Sequence, residues 1–242
     1  KTTVSNLLAT VLQNNGYTVT NNSYGSNICE GVVSALLTDA TFSGKPKKQV
    51  GVLEVDERSS LKVYKYLTPD ILICNNIMRD SLKRNAHTEF ICYILNKQLP
   101  SSTKVVLNAD DLICSGLFPN NKDRAYFGVS ADRPENGAAT DEALRDIVYC
   151  PKCGAKLETE YVRYNHIGRH HCSSCGFASP KPDYDVTAIN REKGTFTVTH
   201  NGVDEEYKIV NDNIINIYNS CAVISVLHTF GLDYEKIHNA FE

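Results

Sequence analysis

The chain has 242 residues, which is long enough for one large domain with an insertion or for two domains around a buried core. Its apolar content of 42% is that of a globular protein, and its net charge of −3 gives no general attraction to nucleic acid. Because we find no apolar run of about eighteen residues and no secretion leader, we expect a cytoplasmic protein without a transmembrane segment.

The first half of the chain alternates between helix and strand patterns. Apolar residues from Val4 to Leu12 recur on one face of a helix, which Asn15 and Gly16 end. Short apolar strands then alternate with longer helices, which predicts βαβ units and a mostly parallel sheet flanked by helices. The predicted strands are 17–20, 50–57, 70–75, 104–111 and 124–129, and the predicted helices are 28–37, 61–67 and 89–99.

The first three residues, Lys1-Thr2-Thr3, match the end of the phosphate-binding pattern G-x-x-x-x-G-K-[ST], which opens a helix. In this interpretation the Lys1 ammonium reaches the terminal phosphates of a nucleotide and the Thr2 hydroxyl binds Mg²⁺. The N-terminus of the helix adds partial positive charge. The pair Lys-Thr is also common by chance, so this interpretation depends on the rest of the sheet.

Polar side chains follow three of the predicted strands. Glu54, Asp56 and Glu57 end the strand at 50–57, Asn75 ends the next, and 108–111 ends the third. The carboxyl ends of parallel strands share one edge of a sheet, which is where such sheets bind ligands. A carboxylate there is suited to holding the Mg²⁺ of a nucleotide, whereas the alternative is that these residues only solvate the strand ends.

Two C-x-x-C-G turns give the most specific local signal. They have the spacing of a four-thiolate zinc site whose ligands are Cys150, Cys153, Cys172 and Cys175. The alternatives are two disulfides or a coincidental spacing. The histidines between the turns, His166, His170 and His171, are expected to be surface residues or residues that support the metal ligands.

The last part of the chain has a different pattern. Alternating segments at 185–190, 195–200 and 206–210 are joined by hairpin turns, which predicts an antiparallel meander distinct from the parallel part. A long amphipathic helix is predicted over 216–230, ended by Gly231, and another helix over 234–241.

Taken together, these segments resemble the central ATP-binding domain of the Mur ligase family, and within it the MurT-like subgroup, which carries a four-cysteine ribbon. The matching segments are Lys1-Thr2-Thr3, Gly25-Ser26-Asn27, Leu53-Glu54-Val55-Asp56-Glu57, residues 76–84, Leu107-Asn108-Ala109-Asp110-Asp111 and Asn216-Ile217-Tyr218-Asn219. The resemblance implies a P-loop-type part over 1–149, a zinc-ribbon insertion over 150–180, and antiparallel strands and helices that complete the domain over 181–242.

The resemblance also implies a function and its site. The family's relatives of this kind activate the D-glutamate α-carboxylate of the lipid II stem peptide with ATP and Mg²⁺, as an acyl phosphate. Ammonia from a GatD-like glutaminase subunit, which forms a heterodimer with the synthetase, then converts it to an amide. By this resemblance Lys1, Thr2 and Thr3 bind the nucleotide, Thr2 and Glu54 hold Mg²⁺, and Asn216 and Asn219 lie by the adenine. The cysteines hold structural Zn²⁺, nucleic acid is not a partner, and membrane contact is peripheral, through the lipid-linked substrate.

The chain also departs from the family pattern. The family motif D-H-x-D-R reads here Asp80-Ser81-Leu82-Lys83-Arg84, which leaves Asp80 and Arg84 as catalytic candidates and puts a histidine-bound second Mg²⁺ in doubt. The family's glycine-rich half of the phosphate loop and its C-terminal ligase domain have no counterpart in this sequence. We therefore expect the fragment alone to bind nucleotide weakly and not to turn over.

Two other functions fit parts of the sequence. A non-enzymatic zinc-ribbon module that binds a protein or nucleic acid would show basic residues among exposed aromatics, and Tyr161, Arg163, Tyr164 and Arg169 form a small version of that pattern. A relative of folylpolyglutamate synthase would share the central domain, but it would leave the ribbon unexplained.

Overall fold

The computed structural model describes residues 2–24, 26–78, 88–134 and 147–241. Several residues singled out in the sequence lie outside these ranges, namely Lys1, Gly25 and residues 79–84 with Asp80, Ser81, Lys83 and Arg84. The strands are β1 (Val19–Asn21), β2 (Val50–Val52), β3 (Ile71–Cys74), β4 (Lys104–Asn108), β5 (Arg124–Val129), β6 (Glu158–Tyr164), β7 (Ile167–His171), β8 (Tyr184–Asn190), β9 (Thr195–His200) and β10 (Val203–Lys208). The helices are α1 (Thr2–Asn14), α2 (Cys29–Thr38), α3 (Ser60–Val63), α4 (Thr88–Asn96), α5 (Leu112–Ser115), α6 (Ile214–Phe230) and α7 (Tyr234–Phe241).

The central sheet has six strands in the order β10-β9-β8-β5-β4-β3. Strands β3, β4, β5 and β8 run parallel to one another, whereas β9 and β10 are antiparallel additions to the β8 edge. The prediction of a mostly parallel sheet with an antiparallel meander is therefore confirmed. The meander is not separate, however, because β8 pairs directly with β5 and makes one continuous sheet.

Strands β1 and β2 form a second, parallel pair. A cavity of about 470 Å³ lies between this pair and the central sheet, lined on one side by residues from β2 and on the other by residues from β3. Side chains from one face of α1, including Val4 and Leu8, also line it. The carboxyl ends of β2 and β3 consequently face a common space, which also reaches Glu54 and Asn75.

Helix α6 occupies the centre of the fold. Asn213 caps its first turn by accepting a hydrogen bond from the Ile215 N–H, and Gly231 ends it with a left-handed backbone (φ 103°) that favours glycine. Every residue from Ile217 to Leu227 is buried. The predicted amphipathic helix is therefore a buried one, apolar around its whole circumference, because it packs against β5, β3, β4 and β8 and against α1.

The opposite face of the sheet is covered by a smaller apolar cluster. Leu72 of β3 and Val105 and Leu107 of β4 pack there against Ile91 and Leu95 of α4. Helices thus cover both faces of the parallel strands, as such strands require. None of the helices in the described part of the chain is long and apolar enough to cross a membrane.

Candidate functional site

A small polar cavity of about 250 Å³ lies at the N-terminal end of α1. Its walls come from α1, from the loop between β1 and α2, and from the residues that follow β2. The lining residues are Thr2, Ser5, Asn22, Ser23, Ser26, Asn27 and Glu54. The cavity therefore brings together Thr2 and Glu54, the two residues that the sequence analysis predicted as magnesium ligands.

Two asparagines hold Glu54 in place. The buried Asn22 side chain accepts a hydrogen bond from the Glu54 N–H (2.9 Å) and donates one to the Glu54 carbonyl (2.9 Å). Asn27 donates to the Glu54 carboxylate (3.1 Å). Both the backbone and the side chain of Glu54 are thus fixed, although β2 itself ends two residues earlier, at Val52.

The loop beside the cavity lies unusually close to α2. A Cβ atom at Gly31 would lie 1.8 Å from the Ser26 carbonyl oxygen, so only glycine permits this approach. Ser26 and Asn27 line the cavity, and Gly31 is therefore part of what shapes its wall.

The cavity offers two kinds of interaction. Helix α1 has 13 residues and begins at Thr2, so its N-terminus presents unpaired N–H groups and partial positive charge that favour an anion. The Glu54 carboxylate and the hydroxyls of Thr2, Ser5 and Ser26 are the hard oxygen donors that Mg²⁺ prefers. The residues present therefore fit a phosphate group with Mg²⁺. Thr3 is exposed and does not line the cavity.

The predicted adenine contacts Asn216 and Asn219 belong to α6 and lie outside the walls of this cavity. Asn219 is buried, donates to the Asn216 side chain (3.3 Å) and accepts from Asn75 (2.6 Å), the residue that follows β3. The two predicted residues are therefore hydrogen-bonded to each other. Asn75 was not predicted to interact with them, because its partner is 144 residues away.

The carboxylates that follow β4 do not line this cavity but accept hydrogen bonds from groups inside the protein. Asp110 and Asp111 are 1% and 0% exposed, and protein donors occupy their oxygens. One donor is the Tyr218 hydroxyl, 2.7 Å from Asp110. Burial, together with the nearby Asp110 carboxylate, raises the pKa of Tyr218 well above its usual value, so the hydroxyl keeps the proton that it donates. Of the three polar strand ends, only Glu54 lines the small polar cavity at the N-terminus of α1.

The four cysteines converge on one point. Cys150 and Cys175 have sulfurs 3.6 Å apart, Cys153 and Cys172 have sulfurs 3.5 Å apart, and all four sulfurs lie within 4.8 Å of one another. A tetrahedral zinc ion with Zn–S bonds of about 2.3 Å places its sulfurs roughly 3.8 Å apart. The cluster fits zinc, and its sulfurs are too far apart for the disulfide alternative, which requires about 2.05 Å.

The two cysteine turns have the same backbone design. Gly154 donates its N–H to the Cys150 carbonyl and Gly176 donates to the Cys172 carbonyl, each at 2.9 Å. Both glycines have positive φ, 75° and 72°, which explains the glycine after each C-x-x-C.

The Cys150 thiol ionises more readily than an ordinary cysteine. Burial opposes this ionisation, but hydrogen bonds from the Lys152 and Cys153 N–H groups prevail and lower the Cys150 pKa to about 7. Thiolates are the form that binds zinc, so Cys150 is partly prepared for the metal.

The three histidines near the cysteines differ in their exposure and in their contacts. His166 and His170 are 2% and 4% exposed, so the surface alternative is wrong for both. His166 lies 3.2 Å from an Asp111 oxygen, and His170 lies 3.1 Å from the Thr159 hydroxyl. Only His171 reaches the surface, where it contacts Glu158 (3.1 Å).

The aromatic and basic residues of the ribbon also face inward. Tyr161 is 2% exposed and its hydroxyl donates to the Val129 carbonyl (3.2 Å). Arg163 donates to the carbonyl oxygens of Val129, Ala131 and Asp132, and Arg169 donates to that of Pro180 (2.8 Å). These residues, which in the sequence resembled a nucleic-acid-binding pattern, therefore join hairpin β6–β7 to the central sheet.

The chain is similar in sequence to two bacterial proteins that share a description. It is 32% identical over 243 residues to the lipid II isoglutaminyl synthase (glutamine-hydrolyzing) subunit MurT of Staphylococcus aureus strain COL, covering 100% of the chain and 53% of that relative. The chain is 29% identical over 234 residues to the protein of the same description from Streptococcus pneumoniae, covering 94% of the chain and 50% of that relative. The chain thus spans about half the length of the relatives it matches.

Solved structures agree on the fold. The pseudomurein peptide ligase type C of Methanothermus fervidus superposes with a TM-score of 0.77 at 23% identity, over 100% of the chain and 46% of that protein. The MurF ligase of Thermotoga maritima, solved in complex with ADP, superposes with a TM-score of 0.61 at 15% identity. This match covers 98% of the chain and 45% of that protein. A scan against known protein families found no match. The relatives and the shared fold together show that the chain is a MurT-like domain of the Mur ligase family.

Proposed function

We propose that this domain belongs to the synthetase subunit of a lipid II isoglutaminyl synthase, an ATP-dependent carbon–nitrogen ligase of peptidoglycan synthesis. The relatives that are similar in sequence carry that description, and its structural neighbours include peptide ligases. The observation that carries the proposal within the chain is the convergence of Thr2 and Glu54 on one polar cavity at the start of α1.

The first three residues of the chain, together with Glu54, suit the first half-reaction. The Lys1 ammonium neutralises the terminal phosphates, Thr2 and Thr3 lie at the helix N-terminus that receives them, and Thr2 and Glu54 hold Mg²⁺. When bound, Mg²⁺ neutralises the charge that develops on the phosphate oxygens. Asn22 and Asn27 keep Glu54 oriented, so its carboxylate needs little rearrangement when the ion binds.

The reaction that we propose has two steps. An oxygen of the D-glutamate α-carboxylate attacks the γ-phosphorus of ATP, and ADP leaves, which gives an acyl phosphate. Ammonia then attacks the carbonyl carbon, loses a proton, and expels inorganic phosphate to give the amide. Asp80 and Arg84 are the candidates that orient the carboxylate and stabilise its charge, and Asn216 and Asn219 are the candidates for the adenine contact.

We also propose a structural metal ion and a partner subunit. Cys150, Cys153, Cys172 and Cys175 hold one structural zinc ion, because their sulfurs already have near-tetrahedral spacing. A GatD-like glutaminase supplies ammonia as the second subunit of a heterodimer. The expected site of action is cytoplasmic, where the enzyme meets the lipid-linked stem peptide at the membrane surface.

The proposal is tested by reconstitution. The full-length protein, mixed with its glutaminase, glutamine, Mg²⁺, ATP and lipid II, is expected to convert the α-carboxylate of D-glutamate to an amide, as read by mass spectrometry of the released stem peptide. The controls omit ATP or use lipid II that is already amidated. Amidation without ATP, or none with every component present, would contradict the proposal.

A further inference from the structure

A short hairpin turn between α2 and β2 presents an aromatic side chain to water. The Thr41 N–H donates to the Lys45 carbonyl (2.8 Å), and the Gly44 N–H donates to the Thr41 carbonyl (2.9 Å). The Lys45 N–H in turn donates to the Thr41 hydroxyl (3.0 Å). Gly44 has a positive φ of 80°, which favours glycine. Phe42, between Thr41 and Gly44, is fully exposed, so an ordered backbone holds its ring in water.

Two more exposed aromatic residues accompany the hairpin turn. Tyr66 follows α3 and is 82% exposed, and Tyr93 lies in the second half of α4 and is 62% exposed. Helix α3 contacts both α2 and α4. These helices lead into β3, β2 and β4, and a helix that joins parallel strands runs back towards their amino edge. The three aromatic residues therefore lie towards that edge. Together with the connections 39–49, 64–70 and 97–103 they form the amino-edge surface.

The amino-edge surface is basic, although the chain as a whole is acidic. Its three connections contain five lysines and two aspartates, a net charge of +3, whereas the whole chain has −3. The lysines, all exposed, are Lys45, Lys47, Lys48, Lys65 and Lys97, and the aspartates are Asp39 and Asp70.

Two of these lysines lie over the aromatic rings. The Lys65 ammonium is 5.3 Å from the centre of the Tyr66 ring, and the Lys97 ammonium is 5.6 Å from the centre of the Tyr93 ring. Cationic and aromatic groups are thus paired along this surface.

This combination favours an anionic lipid surface over a protein partner. Protein interfaces are enriched in aromatic residues but depleted in lysine. At a membrane surface, in contrast, an aromatic ring enters the boundary between headgroups and acyl chains, while the lysine ammonium pairs with a headgroup phosphate. Three exposed rings beside five exposed lysines match the second pattern.

We propose that the amino-edge surface docks this domain on an anionic membrane, with the Phe42 ring among the lipids and Lys45, Lys47 and Lys48 at the headgroup phosphates. The inference deepens the proposed function and rests on it, because lipid II is a substrate held at a membrane. Thr2 and Glu54 line the polar cavity at the opposite, carboxyl edge of the strands. Docking therefore leaves that cavity open to nucleotide.

The first test measures binding of the full-length protein, in complex with its glutaminase, to vesicles of phosphatidylglycerol or phosphatidylcholine. Binding is read by sedimentation, without ATP or lipid II. Two variants each lose three exposed positive charges. The hairpin variant combines Lys45→Gln, Lys47→Gln and Lys48→Gln. The control variant combines Lys181→Gln, Lys193→Gln and Lys208→Gln, in and before the antiparallel strands.

The unmodified complex is expected to bind phosphatidylglycerol vesicles and to bind phosphatidylcholine vesicles far more weakly. The hairpin variant should lose on the order of 100-fold in affinity for phosphatidylglycerol, the size expected for three lysines near an anionic surface. The control variant should bind nearly as tightly as the unmodified complex. The difference between the two variants should shrink as salt is added, because salt screens exposed charges.

Phe42→Ala tests the insertion of the ring. It is expected to weaken binding to phosphatidylglycerol about tenfold at low and at high salt, because the lost contribution is apolar. Since Phe42 is fully exposed, the thermal unfolding midpoint should not change. The matched control is Tyr24→Ala, which removes an equally exposed ring from the loop that follows β1, at the carboxyl edge. This control should bind vesicles as the unmodified complex does.

The second test links docking to the reaction. The hairpin variant is expected to raise KM for lipid II in phosphatidylglycerol vesicles by tenfold or more and to keep kcat, since docking concentrates the enzyme at its substrate. With a water-soluble stem peptide as substrate, the hairpin variant and the unmodified complex should have the same KM.

Three results overturn the inference. The first is an unmodified complex that does not bind phosphatidylglycerol vesicles, and the second is an equal loss of binding in the hairpin and control variants. The third is protection of Lys45, Lys47 and Lys48 from chemical acetylation in the complex without vesicles, because a protein surface then covers them. Lost vesicle binding with unchanged KM for lipid II overturns the link to the reaction. A complex that binds vesicles but does not amidate contradicts the proposed function alone.

Discussion

Replacing Cys172 by serine is expected to release the zinc ion and unfold the ribbon. Three thiolates hold zinc far less tightly than four, and zinc binding is itself folding free energy for small modules of this kind, on the order of 10 kcal/mol in isolated zinc-finger peptides. Zinc content should fall from about one ion per chain to almost none. The midpoint of thermal unfolding should fall with it, since hairpin β6–β7 also contacts the central sheet.

Cys29→Ser is the matched control for this experiment, because Cys29 is a partly exposed free cysteine in α2, outside the four-cysteine cluster. It should keep both the zinc and the unfolding midpoint. The zinc content of the purified full-length variants is measured by elemental analysis, and their unfolding midpoint by thermal unfolding. A folded, unmodified protein without zinc, or a Cys172→Ser protein that keeps it, would contradict the assignment.

Replacing Glu54 by glutamine is expected to abolish most ATP-dependent amidation without unfolding the domain. The amide can still accept the hydrogen bond from Asn27 and fills the same volume, so the cavity keeps its shape. It lacks the negative charge that holds Mg²⁺, and the loss of such an electrostatic contribution costs roughly 10²–10³-fold in kcat.

The control for Glu54→Gln is Glu89→Gln, which makes the same change of charge at an exposed position of α4, outside both cavities. The two variants are compared by the rate of ADP release and by calorimetric titration with Mg²⁺ and a non-hydrolysable ATP analogue. If Glu54→Gln binds the analogue and releases ADP at the unmodified rate, Glu54 does not hold the metal. Equal losses in both variants would mean that overall charge, and not this site, is responsible.

Local sequence patterns predicted most of the helices and strands, because the residues that specify each of them lie close together in the chain. The apolar spacing from Val4 to Leu12 predicted α1, and the glycine after each C-x-x-C predicted the cysteine turns that the structure contains. The strand at 50–57 was predicted too long, because the N–H of Glu54 bonds to the Asn22 side chain instead of to a strand. Apolar residues around the whole of α6 indicate burial, but its central position depends on the strands that enclose it.

The contacts that build the candidate site are long-range, and this is why the sequence did not predict them. Asn22 and Glu54 are 32 residues apart, His166 and Asp111 are 55 apart, and Asn75 and Asn219 are 144 apart. No periodicity or spacing rule connects residues at such separations. His166 was considered in relation to the nearby cysteines, whereas the fold pairs it with the end of β4.

We propose that this domain supports transfer of the γ-phosphoryl group of ATP to a carboxylate. The most direct test labels the D-glutamate α-carboxylate of lipid II with a heavy oxygen isotope and follows the label during amidation by the full-length complex. If an acyl phosphate forms, each turnover releases inorganic phosphate that carries one labelled oxygen, which phosphorus NMR detects as an isotope shift. Label in AMP, or unlabelled phosphate alongside complete amidation, would contradict the account.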